Sequence, residues 1–331
     1  MFFILVLQCC FNCGMVEDKT KYTNNEIDEL NVFSLQNPKS NTKNSIPLLV
    51  SDDFGKSWKS ISENLPDDIQ VSFIEETNGE LVLASDNEGI FLSTEDKSKW
   101  KSIGAKLPYK KINALHIYRD VIYAGVYQRG IFQTKDEGQT WESLNFDLED
   151  VRVQSILHLD DYLIIGCDDG IFILDEKTNS WIATNVKTQI LSIYEYEENL
   201  IAGTSQGTLI SKDKGKHWEW IRKEGAVHYT RNIGKRIVEL ALIGDVVYSD
   251  NWGESWTQTQ YGPREASYVY DIVECGSYQI LSNNYGIHRS DDSGETWKHI
   301  FKTESMAFFD FICIDDKIYG GTRTWDENRR K

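Results

Sequence analysis

Short apolar runs separated by polar turns recur along residues 45–325, with a spacing of roughly 40 residues. In VIYAGVYQRGIFQT (121–134), an apolar run is followed by a short loop ending in glycine and then by a second apolar run. Runs of this length, bounded by Gly, Asn and Asp, are typical of β-strands joined by tight loops. Related phrases occur at 81–93, 162–174, 200–211 and 279–290. One further strand on each side of the pair predicts units of four strands, named A to D.

An eight-residue pattern, S-x-D-x-G-x-[TS]-W, follows the second apolar run and is called the box below. Clear copies occupy 51–58, 134–141, 211–218, 249–256 and 290–297, and degenerate copies occupy 93–100 and 174–181. Lys97 and Thr178 replace the glycine in the degenerate copies, so these two turns are expected to adopt another conformation.

The box chemistry suits a tight turn between strands C and D. The aspartate can accept backbone N–H bonds within its own turn, and the glycine can adopt a positive φ. The tryptophan packs a large apolar ring, and its N–H requires a partner. This structural role is assigned to Asp53, Trp58, Asp136, Trp141, Asp213, Trp218, Asn251, Trp256, Asp292 and Trp297.

The number of units follows from the box tryptophans and from the ends of the repeat region. Successive box tryptophans are 42, 41, 40, 37, 38 and 41 residues apart, a period typical of propeller blades. Only one strand-like run, 46–50, precedes the first box, whereas 308–323 gives two strands with no box after them. We therefore predict an all-β, seven-bladed β-propeller with four-stranded antiparallel blades. Its ring is closed by N- and C-terminal strands that share one blade, which leaves no open sheet edge.

The first 13 residues, MFFILVLQCCFNC, form an apolar run that is too short to span a bilayer and that reads as a signal peptide. Leu7-Gln8-Cys9-Cys10 looks like a bacterial lipobox, with Cys10 as the lipidated residue and Cys13 as a weaker candidate. Residues 14–44 are polar and read as a flexible tether, and 45–331 form one propeller. We expect an extracytoplasmic protein, anchored by lipid to the bacterial cell envelope, in the periplasm or on the surface. A cytosolic protein with an apolar N-terminus is the alternative.

Charge and cysteine content restrict the function further. The 52 Asp and Glu outnumber the 35 Lys and Arg, which argues against a nucleic-acid partner. The sequence contains no H-x-x-x-H or H-E-x-x-H pair, so no metal site is expected. No cofactor is expected either, and we expect the protein to be a monomer. The remaining cysteines, Cys167, Cys275 and Cys313, lie in apolar runs and are expected to be buried thiols without a disulfide.

The boxes, together with AGVYQRGIFQTKDEGQTW (124–141), resemble the BNR/Asp-box propeller superfamily over about residues 45–325. Seven boxes and this phrase look most like the photosystem II assembly factor family and its bacterial sialidase-like relatives. Sialidases carry an early [FY]-R-I-P motif, whereas Arg236-Ile237 is followed here by Val238. The resemblance implies the propeller fold and, for the assembly factor family, an arginine patch at the channel mouth.

In such a propeller, the B–C loops and the loops before strand A surround one mouth of the central channel, called the loop face below. Five arginines map to this face: Arg129, Arg152, Arg231, Arg264 and Arg323. Aromatic and acidic neighbours on the same face are Tyr127, Tyr285, Trp325, Asp168 and Asp169. Because arginine binds carboxylates through paired hydrogen bonds, this set predicts an anionic ligand such as an acidic glycan or a protein C-terminus. The competing interpretation is a set of ordinary loop ion pairs.

The sequence therefore favours a non-catalytic scaffold that binds a protein or glycan ligand. The alternative is a glycan-acting hydrolase of the sialidase-like propeller type, with Asp86, Asp168 and Asp169 as the available carboxylates. A central pocket with two facing carboxylates and an arginine cluster would favour the hydrolase.

Overall fold

The structure is a computed structural model that describes residues 47–148, 152–160, 162–241, 246–258, 269–302 and 307–324. These segments contain 28 strands and no helix. No described segment forms a helix that could cross a membrane. The predicted signal peptide and tether, with Cys10, lie outside the described residues, as do Arg264 and Trp325.

The strands form seven four-stranded antiparallel sheets, which are the blades of a β-propeller. The chain begins with β1 (Leu48–Ser51) and β2 (Lys59–Ser60), which belong to the last blade. Blade 1 comprises β3 (Val71–Thr77), β4 (Glu80–Ser85), β5 (Ile90–Ser93) and β6 (Trp100–Ser102). Blade 2 comprises β7 (Ile112–Tyr118), β8 (Val121–Val126), β9 (Gly130–Thr134) and β10 (Glu142–Ser143). Blade 3 comprises β11 (Val153–Leu159), β12 (Tyr162–Cys167), β13 (Gly170–Asp175) and β14 (Ser180–Ala183).

The remaining blades repeat this order. Blade 4 comprises β15 (Ile190–Tyr196), β16 (Asn199–Thr204), β17 (Gly207–Ser211) and β18 (Glu219–Arg222). Blade 5 comprises β19 (Val227–Ile233), β20 (Arg236–Ala241), β21 (Val246–Ser249) and β22 (Thr257–Gln258). Blade 6 comprises β23 (Val269–Cys275), β24 (Tyr278–Asn283), β25 (Gly286–Ser290) and β26 (Lys298–Lys302), and the chain continues into β27 (Ala307–Ile314) and β28 (Lys317–Thr324).

The ring closes as the sequence predicts, in a blade shared by the two ends of the repeat region. Its strand order is β2-β1-β28-β27, so β27 and β28 supply strands A and B while β1 and β2 supply strands C and D. The β1–β28 register runs from Leu48 opposite Gly321 to Ser51 opposite Ile318. Strand A of each blade contacts strand A of the next, and β27 contacts β3, which completes the ring.

The hydrophobic pattern of each strand follows its place in the blade. Strand B pairs with strands A and C, and a neighbouring blade packs on each of its faces. Five of the six residues of β8 are therefore buried, from Ile122 to Val126. Strand D is the outer edge, and both residues of β10 are exposed. The cores lie between blades. One of them combines Ala114 and Tyr123 of blade 2 with Val153 and Ile165 of blade 3.

The clear boxes form the predicted C–D turns. In the first box, Asp53 Oδ1 accepts hydrogen bonds from the Ser57 N–H (2.8 Å) and the Ser51 hydroxyl (2.8 Å). The Gly55 N–H donates to Ser51 Oγ at 2.7 Å, and Gly55 has a φ of 82°. Residue 54, before the glycine, also has a positive φ of 57°, so each clear turn needs two consecutive left-handed residues. In the degenerate copies, Lys97 and Asn179 stand alone in this region, which confirms that these turns differ.

The box tryptophans join neighbouring blades. Three indole N–H groups reach the residue after strand D of the preceding blade: Trp100 donates to Ile61 O (2.8 Å), Trp141 to Ile103 O (2.9 Å) and Trp181 to Leu144 O (2.8 Å). Trp256 donates to Ile221 O, within strand D of the preceding blade, at 3.3 Å. Trp218 instead donates to Gly215 O within its own box at 2.8 Å. The partner that the N–H requires is therefore usually supplied across the boundary between blades.

The expectation that no disulfide forms was wrong. Cys275 and Cys313 are bonded, whereas Cys167 is a buried free thiol as expected. The two bonded residues are 38 apart, which is close to one repeat, and both lie near the end of strand A of their blade. Cys275 ends its strand A and Cys313 lies one residue before the end of the next strand A, so aligning the repeats places them at neighbouring positions of adjacent blades.

Candidate functional site

The loop face is built from the B–C loops and the segments before strand A. In blade 2, the loop at 127–130 joins β8 to β9, with Gln128 (φ 53°) and Gly130 (φ 80°) in the left-handed region. Asn145 fixes this loop, because its Oδ1 accepts from the Ile131 N–H (2.8 Å) and its Nδ2 donates to Arg129 O (2.7 Å). The exposed Arg129 guanidinium is presented from a rigid turn, and its only hydrogen bond among the described residues runs to Gln128 O at 3.0 Å.

An aromatic and cationic group stands beside this loop. The rings of Tyr109 and Tyr127 are 6.2 Å apart, and Lys111 Nζ lies 4.9 Å from the Tyr127 ring centroid. Lys111 also forms an ion pair with Asp86 at 3.0 Å. Tyr109 is 50% exposed, and the sequence reasoning did not include it. The available signal was a tyrosine in the loop just before a predicted strand A.

Arg152 forms the loop ion pair that the competing interpretation expected. Its guanidinium lies 3.4 Å from Asp168 Oδ2, while Gln154 and Gln189 donate to Asp168 Oδ1 at 3.2 and 3.0 Å. Asp168 is thus surrounded by donors, and the neighbouring Asp169 is exposed. This arrangement holds Asp168 in the loop and leaves Arg152 less available to an external anion than Arg129.

A second group lies where strand B of the closing blade ends. The Arg323 guanidinium is 5.0 Å from the centroid of Tyr270, whose ring lies 5.4 Å from both His228 and Phe308. Burial, followed by the charge of Arg323, lowers the pKa of His228 to about 4, so this imidazole is neutral at pH 7. The Thr324 N–H donates to Gln70 Oε1 at 2.7 Å, which ties this strand end to blade 1.

Both groups lie on the loop face. The Arg129 turn is the B–C loop of blade 2, and Arg323 lies at the end of strand B of the closing blade, so blade 1 stands between them. Among the predicted residues, Tyr127, Arg129 and Arg323 therefore share this face of the ring. Tyr285 is 46% exposed in the B–C loop of blade 6, where its N–H donates to Asn283 Oδ1 at 2.9 Å.

Arg231 does not lie on the loop face, where the sequence analysis placed it. It is the fifth residue of β19, inside the ring of A strands, where its Nε is 3.2 Å from Asp271 Oδ1 and its NH2 is 3.2 Å from the Tyr229 hydroxyl. The charge of Arg231 also acts on Glu75 and Asp310. Arg231 is therefore held within a cluster of polar channel residues instead of reaching the loop face.

The channel carboxyl groups bridge neighbouring blades. Asp310 Oδ2 accepts from the Ile74 N–H (2.9 Å), Asp271 Oδ2 from the Phe311 N–H (2.8 Å), and Glu75 Oε2 from the Ile117 N–H (2.8 Å). Burial raises the pKa of Glu75 to about 8 and that of Asp310 to about 8, with repulsion from Asp271 adding to the second shift. The sequence reasoning missed these residues, although an isolated acidic residue within the apolar FFDFICI and VYDIVEC was a signal.

No group of three or more metal-ligating side chains is found in the described part of the chain. The carboxylates named as hydrolase candidates are also not brought together as a free pair. Asp86 is bound to Lys111, and Asp168 is bound to Arg152 and two glutamines. On the loop face, the arrangement can bind an anion and stack against an aromatic or apolar group.

No protein-family model and no curated protein matches the sequence. Among solved structures, the chain is similar to YCF48 bound to D1 peptide (TM-score 0.64, 15% identity), covering 79% of this chain and 94% of that one. It is also similar to the extracellular domain of BT4673 from B. thetaiotaomicron (TM-score 0.63, 12% identity), covering 79% and 38%. An ancestral GH74 enzyme gives a TM-score of 0.58 at 14% identity, covering 79% and 45%. At these identities, the similarity shows a shared propeller fold.

Proposed function

We propose that this propeller is a non-catalytic, extracytoplasmic scaffold that binds a carboxylate-bearing segment of a protein partner on its loop face. The observation that carries the proposal is the presence of two cationic and aromatic groups on the same face of the ring, the Arg129 loop with Tyr127 and Lys111, and Arg323 with Tyr270. Arginine forks bind a carboxylate through paired bonds, while the aromatic rings give an adjacent side chain an apolar surface.

The choice of a peptide ligand is supported by the rigidity of the presenting loop and by one solved relative in fold. Asn145 binds the backbone on both sides of Gly130, at Arg129 O and the Ile131 N–H, so little backbone entropy is lost when the turn engages a ligand. YCF48, which shares the propeller fold, has been solved bound to D1 peptide, so a propeller of this kind can carry a peptide site.

The location is supported by the Cys275–Cys313 bond and by the neighbours in fold. Disulfides form and persist mainly in oxidising compartments such as the periplasm and the cell surface. The BT4673 neighbour is an extracellular domain. Anchoring through lipidated Cys10 and a monomeric state are further parts of the proposal.

The hydrolase remains the second candidate because the channel holds Glu75, Asp271 and Asp310 beside Arg231. In each of these carboxyl groups, however, an oxygen accepts a backbone N–H bond from a strand of the next blade. These hydrogen bonds give the three carboxyl groups a structural role, which a free acid–base pair would not have. The binding scaffold is therefore the better supported function.

The test is a binding screen of the purified full chain against fluorescent peptides with free or amidated C-terminal carboxyl groups. The Arg129→Gln/Arg323→Gln variant should bind the free-carboxylate peptide at least about tenfold more weakly. Arg119→Gln is the matched control, because this exposed arginine lies in the turn after strand A of blade 2, at the other end of the blade from the loop face. Equal binding by wild type and double variant, or cleavage of a glycan that is lost in Asp310→Asn, would contradict the proposal.

A further inference from the structure

A separate cavity lies at the outer rim of the loop face, between the segment that links blades 3 and 4 and the outer strands of blade 4. It measures about 260 Å³, and its lining includes Asn185, Lys187, Gln206, Trp218, Trp220 and Lys223. None of the residues grouped at the channel mouth contributes to it. We propose that this cavity binds one sugar ring of an acidic, uronate-type glycan, and this inference is independent of the peptide site proposed above.

The aromatic surface is the first argument. Trp220 lies on the edge strand β18 and is 38% exposed, whereas the box tryptophan two residues earlier, Trp218, is 4% exposed. Lys223 Nζ lies 5.1 Å from the Trp220 ring centroid. A ring face that receives a positive group can also receive the weakly positive C–H face of a pyranose, because its quadrupole presents negative charge.

The charge of the lining is the second argument. The lining contains two lysines and no Asp or Glu, in a chain whose net charge is −17. Lys187 is exposed, and Lys223 is followed by Glu224, whose carboxylate pairs with Arg222 at 3.3 Å. The two lysines, in a lining without Asp or Glu, can attract an anionic ligand locally, against the long-range repulsion from the net negative charge of the chain.

The polar groups are the third argument, and they favour a sugar over an acidic peptide. The exposed side-chain amide of Gln206 can both donate to and accept from sugar hydroxyls, whereas the buried Thr188 hydroxyl already shares a hydrogen bond with Ser205 Oγ at 3.2 Å. Asn185 is already used, since its Oδ1 accepts from the Trp218 N–H (3.1 Å) and its Nδ2 donates to Trp218 O (3.0 Å). These bonds tie the segment between blades 3 and 4 to the box of blade 4, beside the cavity.

The experiment measures binding of uronate tetramers to the full chain by calorimetry, using galacturonate, glucuronate and mannuronate and their methyl esters. At least one acid should bind, and its ester, which keeps the size but loses the charge, should bind at least tenfold more weakly. Trp220→Ala and Lys187→Gln/Lys223→Gln should each weaken binding at least tenfold. Lys298→Gln, on an exposed outer-strand lysine of blade 6, is the matched control and should bind as wild type.

Three outcomes would overturn the inference. These are no binding of any of the three acids at millimolar concentration, equal binding of acid and ester, or unchanged binding in both cavity variants. An oligoglutamate peptide that displaces the sugar and binds more tightly through the same residues would show a peptide site instead. Because Arg129→Gln/Arg323→Gln leaves the cavity intact, loss of peptide binding in that variant and loss of sugar binding in the cavity variants can be told apart.

Discussion

At the residue scale, a box glycine is required for its positive φ and for its close approach to a backbone carbonyl oxygen of the preceding blade. Gly138 has a φ of 79°, and a Cβ placed on it would lie 2.1 Å from Ile103 O. The same carbonyl oxygen accepts the indole N–H of Trp141 at 2.9 Å. The Ile103 carbonyl oxygen therefore lies against the Gly138 turn of blade 2 and also accepts the hydrogen bond of the Trp141 indole.

We expect Gly138→Ala to lower the free energy of unfolding by about 3 kcal/mol, from left-handed strain together with displacement of the Ile103 carbonyl. Gly79→Ala is the matched control, since Gly79 has a φ of 84° but no atom within 4 Å of the added Cβ. This control should cost about 1 kcal/mol from strain alone. Urea unfolding of both variants measures the difference, and equal losses would show that the contact with blade 1 is unimportant.

The box turns could be predicted from sequence because their bonds join residues within eight positions of the chain. The acceptors of the tryptophans could not, because Ile61, Ile103 and Leu144 belong to the preceding blade. The candidate site divides in the same way. Arg129 follows from its local B–C loop, whereas the confinement of Arg231 depends on Asp271 of the next blade, 40 positions later. A contact with a residue of another repeat leaves no signal in the local sequence. It can be predicted only by aligning the repeats with one another.

At the element scale, the A strands are joined by side-chain acceptors in addition to packing. Four of them use equivalent positions, since Ser155, Ser192, Asp271 and Asp310 each accept from a backbone N–H of strand A in the following blade. Serine makes this bond without burying a charge, whereas Asp271 is balanced by Arg231. Asp310 is only 8% exposed and is repelled by Asp271, which favours its protonated form.

The pH dependence of stability should report this protonated carboxyl group. Burial, with repulsion from Asp271, raises the pKa of Asp310 from 3.8 to about 8, so the folded state retains a proton that the unfolded state releases. The contribution of Asp310 to stability is thus fully present below about pH 4 and is lost as the pH rises through about 8. Asp310→Asn cannot titrate and keeps an oxygen for the Ile74 N–H. Its stability relative to wild type should therefore rise by about 1 kcal/mol or more between pH 5 and pH 8.

Chemical unfolding of the two proteins across this pH range measures the effect. Asp316→Asn removes an exposed carboxylate from the turn after the same strand and serves as the charge control. Parallel profiles for wild type and Asp310→Asn would show that the buried group is ionised in the folded protein.

At the scale of the whole molecule, each blade is stabilised mainly by its neighbours, and the last boundary before closure also carries a covalent bond. Cys275 of blade 6 and Cys313 of the closing blade join adjacent A strands. The closing blade itself, by contrast, is held together through the hydrogen bonds of β1 with β28 and through apolar packing. The two halves of that blade are separated by most of the chain, so their association carries a large loop-closure cost.

Reduction of the Cys275–Cys313 bond should lower the free energy of unfolding by about 3–4 kcal/mol, because the bond restricts a loop of 38 residues in the unfolded chain. Urea unfolding with and without a thiol reductant measures this loss. The Cys275→Ser/Cys313→Ser variant should unfold as the reduced wild type does and should not respond to the reductant. An unchanged midpoint on reduction of wild type would mean that the bond adds nothing to the ring.

The shared closing blade also fixes the order of events during synthesis. β1 and β2 leave the ribosome before the other described strands, but β1 obtains its strand B partner only when β28 has been made. Until then, the growing propeller has one unpaired edge at β1 and another at its advancing end, and both can pair with other chains. Blades 1 to 6 can assemble in sequence, whereas the final step must wait for the last described strand. A release of the chain before residue 317 would therefore leave a nearly complete ring with an open seam, in which β1 lacks its strand B partner.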